Sequence, residues 1–324
     1  FLDEINRNNP IPSLGQLEAT NPCGEVPLFP YESCNLGSIN LSKIIQDGKI
    51  DYQKLQQIIF DSVHFLDNVI DINRYPLPIV EKVVKANRKI GLGVMGFADL
   101  LCKLGISYYS DQALQIAEQL ITFIASTAKV ASQKLAEKRG VFPNYQKSIY
   151  APKNLKLRNA TLISIAPTGT ISLIAGCSSG IEPYFALIFR RFVLENTEFI
   201  EVNPLLEEHL KTLKIDEKIR EKIWEKGSLK DIDGIPEQLH SLFLTAFEIA
   251  PTFQVNMQAV FQKQVDNAVS KTINLPPEAS PEEISQVYFL AHQLGCKGIT
   301  VYRYQSRESQ VFYLGSGGKE CENC

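Results

Sequence analysis

Helical segments alternate with short runs of β-forming residues along most of this 324-residue sequence. Apolar residues recur with helical spacing between 51 and 72, and Pro78 can begin a second helix. Ser110 or Asp111 is expected to cap the longest helix, which stops at Gly140. Runs rich in β-forming residues predict strands at 159–166, 185–194, 267–275 and 298–304. This alternation indicates an α/β architecture, in which helices cover short strands.

The composition argues against several classes of protein. Apolar residues make up 44% of the chain and the net charge is only −3, which argues against intrinsic disorder. The 33 basic and 36 acidic residues leave no positive excess for a nucleic-acid surface. Apolar runs such as 120–124 fall far short of the ~20 residues of a membrane span. We therefore expect a globular protein with no nucleic-acid partner and no membrane segment.

The cysteines and the first residues indicate the compartment. The seven cysteines are odd in number, and the chain opens on FLDEIN, which has no signal-peptide pattern. A chain of this length can bury a core without disulfide bonds, so reactive or metal-binding thiols in the cytoplasm are expected. The opening without Met also indicates a fragment of a longer coding region.

The segment NPCGE at 21–25 places an amide, a thiol and a carboxylate within five residues. In an extended loop, Asn21, Cys23 and Glu25 project to one side. A carboxylate can act as a base, and a thiol can act as a nucleophile or hydrogen-atom donor. Cys34 adds a second thiol eleven residues after Cys23, which favours a redox site. The spacing alone leaves open a turn in which Asn21 caps backbone groups and both cysteines are buried packing.

A turn after the predicted strand at 159–166 is a candidate phosphate site. Its residues are Pro167, Thr168, Gly169, Thr170, Ile171 and Ser172. Proline ends the strand and glycine lets the chain turn, so hydroxyl groups lie beside the free N–H groups of a helix start. No Gly-Lys-Ser/Thr follows, so the turn is not a Walker loop. An ordinary capped strand-to-helix turn explains the same residues.

The sequence ends in CENC, on a glycine-rich polar segment that begins at 315. Cys321 and Cys324 on a mobile tail can exchange disulfides or supply half of a zinc site. Zinc needs two further ligands, and the four histidines show no metal-ligand spacing, so we predict no metal site. Incidental thiols on a solvated tail are the alternative.

Seven sequence blocks follow one another in an order typical of a single family. They are NPCGE (21–25), ESCNLGSIN (32–40), IGLGVMGFADL (90–100), APTGTIS (166–172), SSGIEP (178–183), VDNAVSKTINLP (265–276) and GCKGITVYRY (295–304). Together they closely resemble the catalytic subunit of ribonucleotide reductase. The resemblance implies part of a ten-stranded α/β barrel, incomplete in this chain, with a finger loop that carries the catalytic cysteine.

The same resemblance implies a domain organisation. Residues 1–314 are expected to form the C-terminal half of the catalytic barrel, and 315–324 a flexible redox tail. A charged helical insertion near 198–250 is expected at the periphery. The first half of the barrel and a second reducing cysteine should precede Phe1, so we predict that this chain is inactive alone.

The resemblance also implies roles for the residues of the first two blocks. Cys23 is similar to the cysteine that becomes a thiyl radical and removes the 3′ hydrogen of the ribose. Glu25 is similar to the carboxylate that takes the 3′-hydroxyl proton, and Asn21 resembles the amide that hydrogen-bonds the ribose hydroxyls. Cys34 resembles one of two cysteines that reduce the ribose and end as a disulfide.

The resemblance also implies a substrate, a reductant and partners for assembly. The turn from Thr168 to Ser172 resembles the one that holds the substrate phosphates of a ribonucleotide. Cys321 and Cys324 are similar to tail thiols that re-reduce the active-site disulfide and are served by a thioredoxin-like reductant. A homodimer and the missing N-terminal half are the other expected partners.

Two features favour the adenosylcobalamin-dependent class of the family. The first two blocks and the eleven-residue spacing of their thiols are similar to that class. The metal-dependent class carries an adjacent tyrosine pair that relays the radical from a second subunit. Here Arg303 separates Tyr302 from Tyr304. Adenosylcobalamin is therefore the expected cofactor.

Three alternatives remain open. The chain can belong to a metal-dependent large subunit that needs a radical-generating partner. It can be a thiol redox or zinc-binding module without nucleotide chemistry. It can also be a degenerate half-barrel that binds nucleotides or assembles with another chain. The sequence leaves open whether the substrate is a diphosphate or a triphosphate.

Overall fold

Helices and short strands alternate in the computed structural model, which describes residues 1–193, 197–306 and 312–314. The helices are α1 (Leu2–Arg7), α2 (Tyr52–Ile72), α3 (Pro78–Asn87), α4 (Phe97–Lys103), α5 (Asp111–Arg139), α6 (Gly169–Ala175), α7 (Pro204–Thr212), α8 (Glu217–Lys226), α9 (Glu237–Leu242), α10 (Pro251–Gln262) and α11 (Pro281–Gln293). The strands are β1 (Ala19–Thr20), β2 (Pro27–Leu28), β3 (Asn35–Asn40), β4 (Ile45–Gln46), β5 (Lys49–Ile50), β6 (Ile90–Met95), β7 (Ile188–Val193), β8 (Thr197–Val202), β9 (Thr272–Leu275), β10 (Thr300–Arg303) and β11 (Phe312–Leu314).

A succession of parallel pairings runs through the molecule in chain order. β3 pairs with β6 over the full length of both strands. Two isolated parallel bridges extend the ladder, from Leu92 to Ile163 and from Ile165 to Val269. β9 then pairs with β10, also in parallel. Because helices connect these segments, the arrangement is an open arc of an α/β barrel, and it does not close within the described residues.

Capping side chains explain where the two longest helices begin. The carboxylate of Asp51 accepts a hydrogen bond from the N–H of Lys54 at 2.9 Å, and the hydroxyl of Ser110 accepts one from Ala113 at 3.2 Å. α5 ends before Gly140, whose φ of +81° suits glycine. The helices predicted at 51–72, from Pro78 and up to Gly140 are confirmed.

A close approach of backbones explains the glycines of the block at 90–100. A Cβ built on Gly93 would lie 2.2 Å from the carbonyl oxygen of Ser164, on the neighbouring segment of the arc. At Gly91 it would lie 2.4 Å from the side chain of Leu36. At Gly91 and Gly93 the strand β6 therefore has no room for side chains, because residues of the two neighbouring segments, Leu36 and Ser164, lie directly against its backbone.

The predicted helical insertion near 198–250 differs from expectation in two respects. It begins with strand β8, which pairs with β7 in an antiparallel hairpin, and the helices α7, α8 and α9 follow. Its apolar side chains Leu206, Ile223 and Phe243 are fully buried in the main core. Amphipathic helices with charged outer faces thus bury their inner faces in this core, which the charged composition did not indicate, and the peripheral position of the insertion stays a prediction.

Two further expectations concern the ends of the chain and membranes. The segment 1–40, expected as loops and short strands, also contains the short helix α1. In the part of the chain that the structure describes, no helix is both long and apolar enough to cross a membrane. The tail predicted at 315–324 lies outside the described residues.

Candidate active site

The residues of the NPCGE segment form the tip of a two-stranded hairpin. β1 and β2 pair in antiparallel fashion, with Thr20 opposite Pro27. At the tip, the N–H of Gly24 donates to the carbonyl of Asn21 at 3.0 Å, and Gly24 has a φ of +85°. The tip is therefore a closed turn, and this turn holds Cys23 in an exposed position.

The turn changes the expected arrangement of the three polar side chains. Cys23 is exposed, whereas Glu25 is only 2% exposed. The prediction that Asn21, Cys23 and Glu25 project to one side of an extended loop is wrong, because the turn interrupts the alternation on which it relied. The side-chain oxygen of Asn21 accepts a hydrogen bond from the N–H of Val26 at 3.0 Å, and so helps to close the turn.

Glu25 is anchored to the arc by its backbone. Its carbonyl accepts hydrogen bonds from the hydroxyl of Ser164 and from the N–H of Ala268, both at 2.8 Å. Its carboxylate oxygen Oε2 is buried and has no hydrogen-bond partner among the described residues. A buried acceptor without a partner is costly, so this oxygen can accept a hydrogen bond from a group outside the described residues.

The carboxylate of Glu25 acts electrostatically on both cysteines of the first blocks. Burial raises the pKa of the Cys23 thiol, and the negative charge of Glu25 raises it further. Cys34, half-buried at the start of β3, has its pKa raised to about 12, mainly by burial. Lys89 lowers that pKa, while Glu32 and Glu25 raise it. The structure thus brings Cys23, Glu25 and Cys34 into one electrostatic environment.

Two charged residues beside Cys34 were not singled out by the sequence. Lys89 and Glu32 form an ion pair of 2.6 Å, and the two side chains are 1% and 0% exposed. The second oxygen of Glu32 accepts from the amide of Asn87 at 2.6 Å. These partners are more than fifty residues from Glu32 along the chain, so no local spacing could have linked them.

The turn predicted to bind phosphate leads directly into helix α6. Thr168 has a φ of +58° and precedes the helix, and its hydroxyl accepts a hydrogen bond from the N–H of Gly180 at 2.7 Å. The first intrahelical acceptor is the Thr168 carbonyl, bonded to the N–H of Ser172 at 2.9 Å. Gly169, Thr170 and Ile171 are exposed, so the free N–H groups of the helix start are open to an anion.

A buried aspartate joins two of the sequence blocks behind this turn. The carboxylate of Asp99, on α4, accepts from the N–H of Ser178 at 2.7 Å and from the hydroxyl of Tyr184 at 2.8 Å. Farther along the same loop, Glu182 accepts from Lys271 at 2.7 Å. The blocks at 90–100, 178–183 and 265–276 therefore form one supporting framework for the phosphate turn.

One group of possible metal ligands lies away from these residues. Potential ligand atoms of Asp3, Glu4 and His292 lie within 4.8 Å of one another. Asp3 is already bonded to the ring of His292 at 2.6 Å, and Glu4 is paired with Arg7. Sequence spacing missed this group because His292 lies 289 residues after Asp3. Cys321 and Cys324 lie outside the described residues.

Comparisons with known proteins show what the whole chain is similar to. A family model described as "Ribonucleotide reductase, barrel domain" matches residues 1–157 and 152–302. A vitamin B12-dependent ribonucleoside-diphosphate reductase of Thermoplasma acidophilum is 52% identical over 318 residues, which are 98% of this chain and 41% of the relative. Its counterpart in Mycobacterium tuberculosis H37Rv is 49% identical over 340 residues, 99% of this chain and 48% of the relative.

A solved structure shows the same similarity in three dimensions. The class Id ribonucleotide reductase alpha subunit of Actinobacillus ureae superposes with a TM-score of 0.79 at 26% sequence identity. The match covers 94% of this chain and 57% of that subunit. The chain thus spans less than half the length of the two curated relatives and somewhat more than half of the solved subunit.

Proposed function

Because the chain belongs to the ribonucleotide reductase family, we propose that it supplies the radical cysteine and the phosphate turn of an enzyme that converts ribonucleotides to deoxyribonucleotides. The relatives in Thermoplasma and Mycobacterium are named ribonucleoside-diphosphate reductases, so the proposed substrates are ribonucleoside diphosphates. The open arc of parallel strands is the part of the family's barrel that this chain contributes.

The observation that carries the proposal is the hairpin tip, where an exposed thiol lies next to a buried carboxylate with an unpartnered oxygen. In the proposed reaction, the thiyl radical of Cys23 takes the hydrogen atom from C3′ of the ribose and leaves a carbon radical there. The Oε2 atom of Glu25 takes the proton of the 3′ hydroxyl. A bound ribose would thereby supply the partner that this oxygen lacks within the described residues.

Asn21 and Cys34 have complementary roles in this proposal. The side-chain oxygen of Asn21 is engaged by Val26, so its NH₂ group is the part that would donate to a ribose hydroxyl. Cys34 would provide one of the two thiols that reduce the sugar and form a disulfide. The second thiol would come from outside this chain, and Cys321 and Cys324 would return the disulfide to the dithiol form.

The phosphate turn would hold the other end of the substrate. Thr168 to Ser172 present exposed N–H groups at the start of α6, and the hydrogen bond between Thr168 and Gly180 fixes the turn. A diphosphate carries the negative charge that the positive end of a helix favours. The substrate would thus be held by its phosphates, with the ribose presented to the hairpin tip.

We propose adenosylcobalamin as the radical source. This cofactor supplies a hydrogen-atom acceptor when bound, and the exposed thiol of Cys23 is open to a group that approaches from solvent. Cys23 is the residue of this chain that would meet the reactive end of the cofactor. Arg303 between Tyr302 and Tyr304, together with the names of the relatives, favours this source over a radical-generating subunit.

The reaction is proposed to take place in the cytoplasm, where thiols are kept reduced. The remaining half of the catalytic subunit, a thioredoxin-like reductant and a second copy of the subunit are the proposed partners.

An anaerobic assay on this chain joined to the remaining half of the catalytic subunit tests the proposal. Ribonucleoside diphosphate and dithiothreitol are supplied with or without adenosylcobalamin, and Cys23→Ser is compared with wild type. Cys102→Ala is the matched control, because Cys102 is buried in α4 away from the hairpin. We expect deoxyribonucleotide only with the cofactor, no product from Cys23→Ser, and product from the control.

Other outcomes distinguish the alternatives. Product that requires a radical-generating subunit, and not cobalamin, would assign the metal-dependent class. No product with either radical source would contradict the proposed activity and leave the half-barrel or thiol-module hypotheses. Protection of the amides of 168–172 from hydrogen exchange by a ribonucleotide would count against a thiol module.

A further inference from the structure

A buried ion pair connects the hairpin, the Cys34 loop and the first strand pair. The ammonium of Lys89 bonds to Glu32 Oε2 at 2.6 Å and to the carbonyl of Pro27, in β2, at 3.2 Å. The same oxygen of Glu32 accepts from the N–H of Phe29 at 2.9 Å. One lysine therefore contacts both the returning strand of the hairpin and the loop that leads to Cys34.

Strand register places this lysine next to Cys34. Asn35 and Ile90 are direct partners in the parallel pairing of β3 with β6. Cys34 immediately precedes Asn35, and Lys89 immediately precedes Ile90. Because equivalent positions of paired strands lie side by side, the two residues occupy neighbouring positions at the beginning of the strand pair.

The charges around Cys34 have opposing effects. Its titratable neighbours are Lys89, Glu32 and Glu25, and Lys89 is the one cation among them. Lys89 favours the thiolate, whereas the two carboxylates favour the thiol. Glu32 has a second effect, because its bonds with Lys89 and Asn87 hold the ammonium in place.

We propose that Lys89 is a positioning residue for Cys34: held by Glu32, its ammonium fixes the loop from the hairpin to Cys34 and places a positive charge beside the thiol. This inference rests on the proposed role of Cys34 as a reducing thiol. A cysteine that cycles through a disulfide attacks as a thiolate when the bond forms and leaves as a thiolate when it is reduced, and a fixed cation beside it stabilises that form.

Alkylation of Cys34 tests the inference without catalytic turnover. The intact polypeptide is reduced with a phosphine, treated with iodoacetamide between pH 7 and 9.5, and analysed peptide by peptide by mass spectrometry. At a pH below the pKa of Cys34, the rate of alkylation is proportional to the fraction of the thiol that is ionised. A change of half a unit in that pKa therefore alters the rate about threefold. We expect alkylation of Cys34 to slow about threefold or more in Lys89→Met and to accelerate in Glu32→Gln.

The opposite signs separate electrostatic positioning from mere support of the fold. If the ion pair only holds the loop in place, both variants loosen it and both accelerate alkylation, which would overturn the inference. Lys89→Arg keeps the charge and should remain close to wild type. Lys271→Met is the matched control, because Lys271 forms a similar buried pair with Glu182 and is not among the groups that shift the pKa of Cys34.

Circular dichroism and urea unfolding show which variants are folded. If Lys89→Met does not fold, Lys89→Gln takes its place, because glutamine can still donate a hydrogen bond to Glu32 but carries no positive charge; an unchanged or faster rate in that variant would contradict the inference. Because alkylation is measured on the resting protein, failure here leaves the proposed ribonucleotide reduction intact. If the anaerobic assay shows no ribonucleotide reduction, the alkylation rates still test the positioning role of Lys89.

Discussion

Replacement of Asp67 by Asn should strongly destabilise the protein. Asp67 lies on α2, and its carboxylate is completely buried. One oxygen accepts hydrogen bonds from Arg88 at 2.9 Å and Asn159 at 3.0 Å. The other faces Arg139 at 3.2 Å and Arg158 at 3.3 Å. This carboxylate thus connects α2 with α5, with the start of β6 and with the segment at 158–159.

The expected loss follows from what asparagine cannot replace. Its oxygen can keep the bonds to Arg88 and Asn159, but its NH₂ group would then point at the N–H groups of Arg139 and Arg158. One of the two negative charges that balance the buried guanidinium of Arg88, which is 4% exposed, is removed as well. Removing one partner of a buried ion pair costs about 3–5 kcal/mol, so we expect about 3 kcal/mol or more in the free energy of unfolding.

Asp71→Asn is the matched control. Asp71 also bonds to Arg88, at 2.7 Å, but its side chain is 46% exposed, so its loss should cost about 1 kcal/mol or less. Urea unfolding followed by circular dichroism measures both variants. With an m-value of about 3 kcal/mol/M, Asp67→Asn should lower the midpoint by about 1 M and leave the slope unchanged. Equal and small shifts for the two variants would refute the assignment of Asp67 as the structural centre of this network.

Three further changes test other parts of the structure. Gly93→Ala should destabilise the protein by more than about 3 kcal/mol in urea unfolding, because the new Cβ would meet the Ser164 carbonyl at 2.2 Å. Gly298→Ala has open space at the Cβ position and should be nearly neutral. Burial lowers the pKa of Lys297 to about 8, so the unfolded chain binds more protons between about pH 8 and 10.5. Stability should therefore gain a rising contribution over that interval, which Lys297→Met should abolish in unfolding measured against pH. Ser280→Ala should lower the free energy of unfolding by about 1 kcal/mol, because it removes the N-cap of α11; no measurable loss would contradict the capping assignment.

Local signals in the sequence were sufficient for most helices. Ser110 accepts a hydrogen bond from the backbone N–H group three residues later, so the feature that starts this helix lies within four residues of sequence. The same holds for Gly140, which ends α5 through its own φ angle. The candidate active-site residues were found through motif resemblance, and their spacing alone did not decide between chemistry and packing.

Features set by distant pairing could not be derived in this way. Whether NPCGE is extended or turned depends on the pairing of β1 with β2, and Gly24 adopts its positive φ only in the turned form. The charged faces of the insertion dominate its composition, whereas the burial of Leu206 and Phe243 depends on the distant residues that they pack against. The ion pair of Lys89 with Glu32 joins residues 57 positions apart.

The buried lysines show how an arc of short strands can hold its functional loops. Lys89 immediately precedes β6 and binds Glu32, in the loop to Cys34; Lys271 immediately precedes β9 and binds Glu182, in the loop after the phosphate turn. Strands of four to six residues make few ladder hydrogen bonds, and none of those bonds fixes a loop. A buried ion pair contributes little net stability compared with apolar packing, but separating its partners leaves an uncompensated buried charge, so a shift of either partner is costly. Each lysine is held by the backbone of its strand, so the carboxylate that it binds has a defined position relative to that strand. The loop that carries each carboxylate is thereby positioned as well. One of these loops leads to Cys34, and the other follows the phosphate turn. The alignment of the thiols with the phosphate turn is therefore set at the beginnings of the strands as much as by the loops themselves.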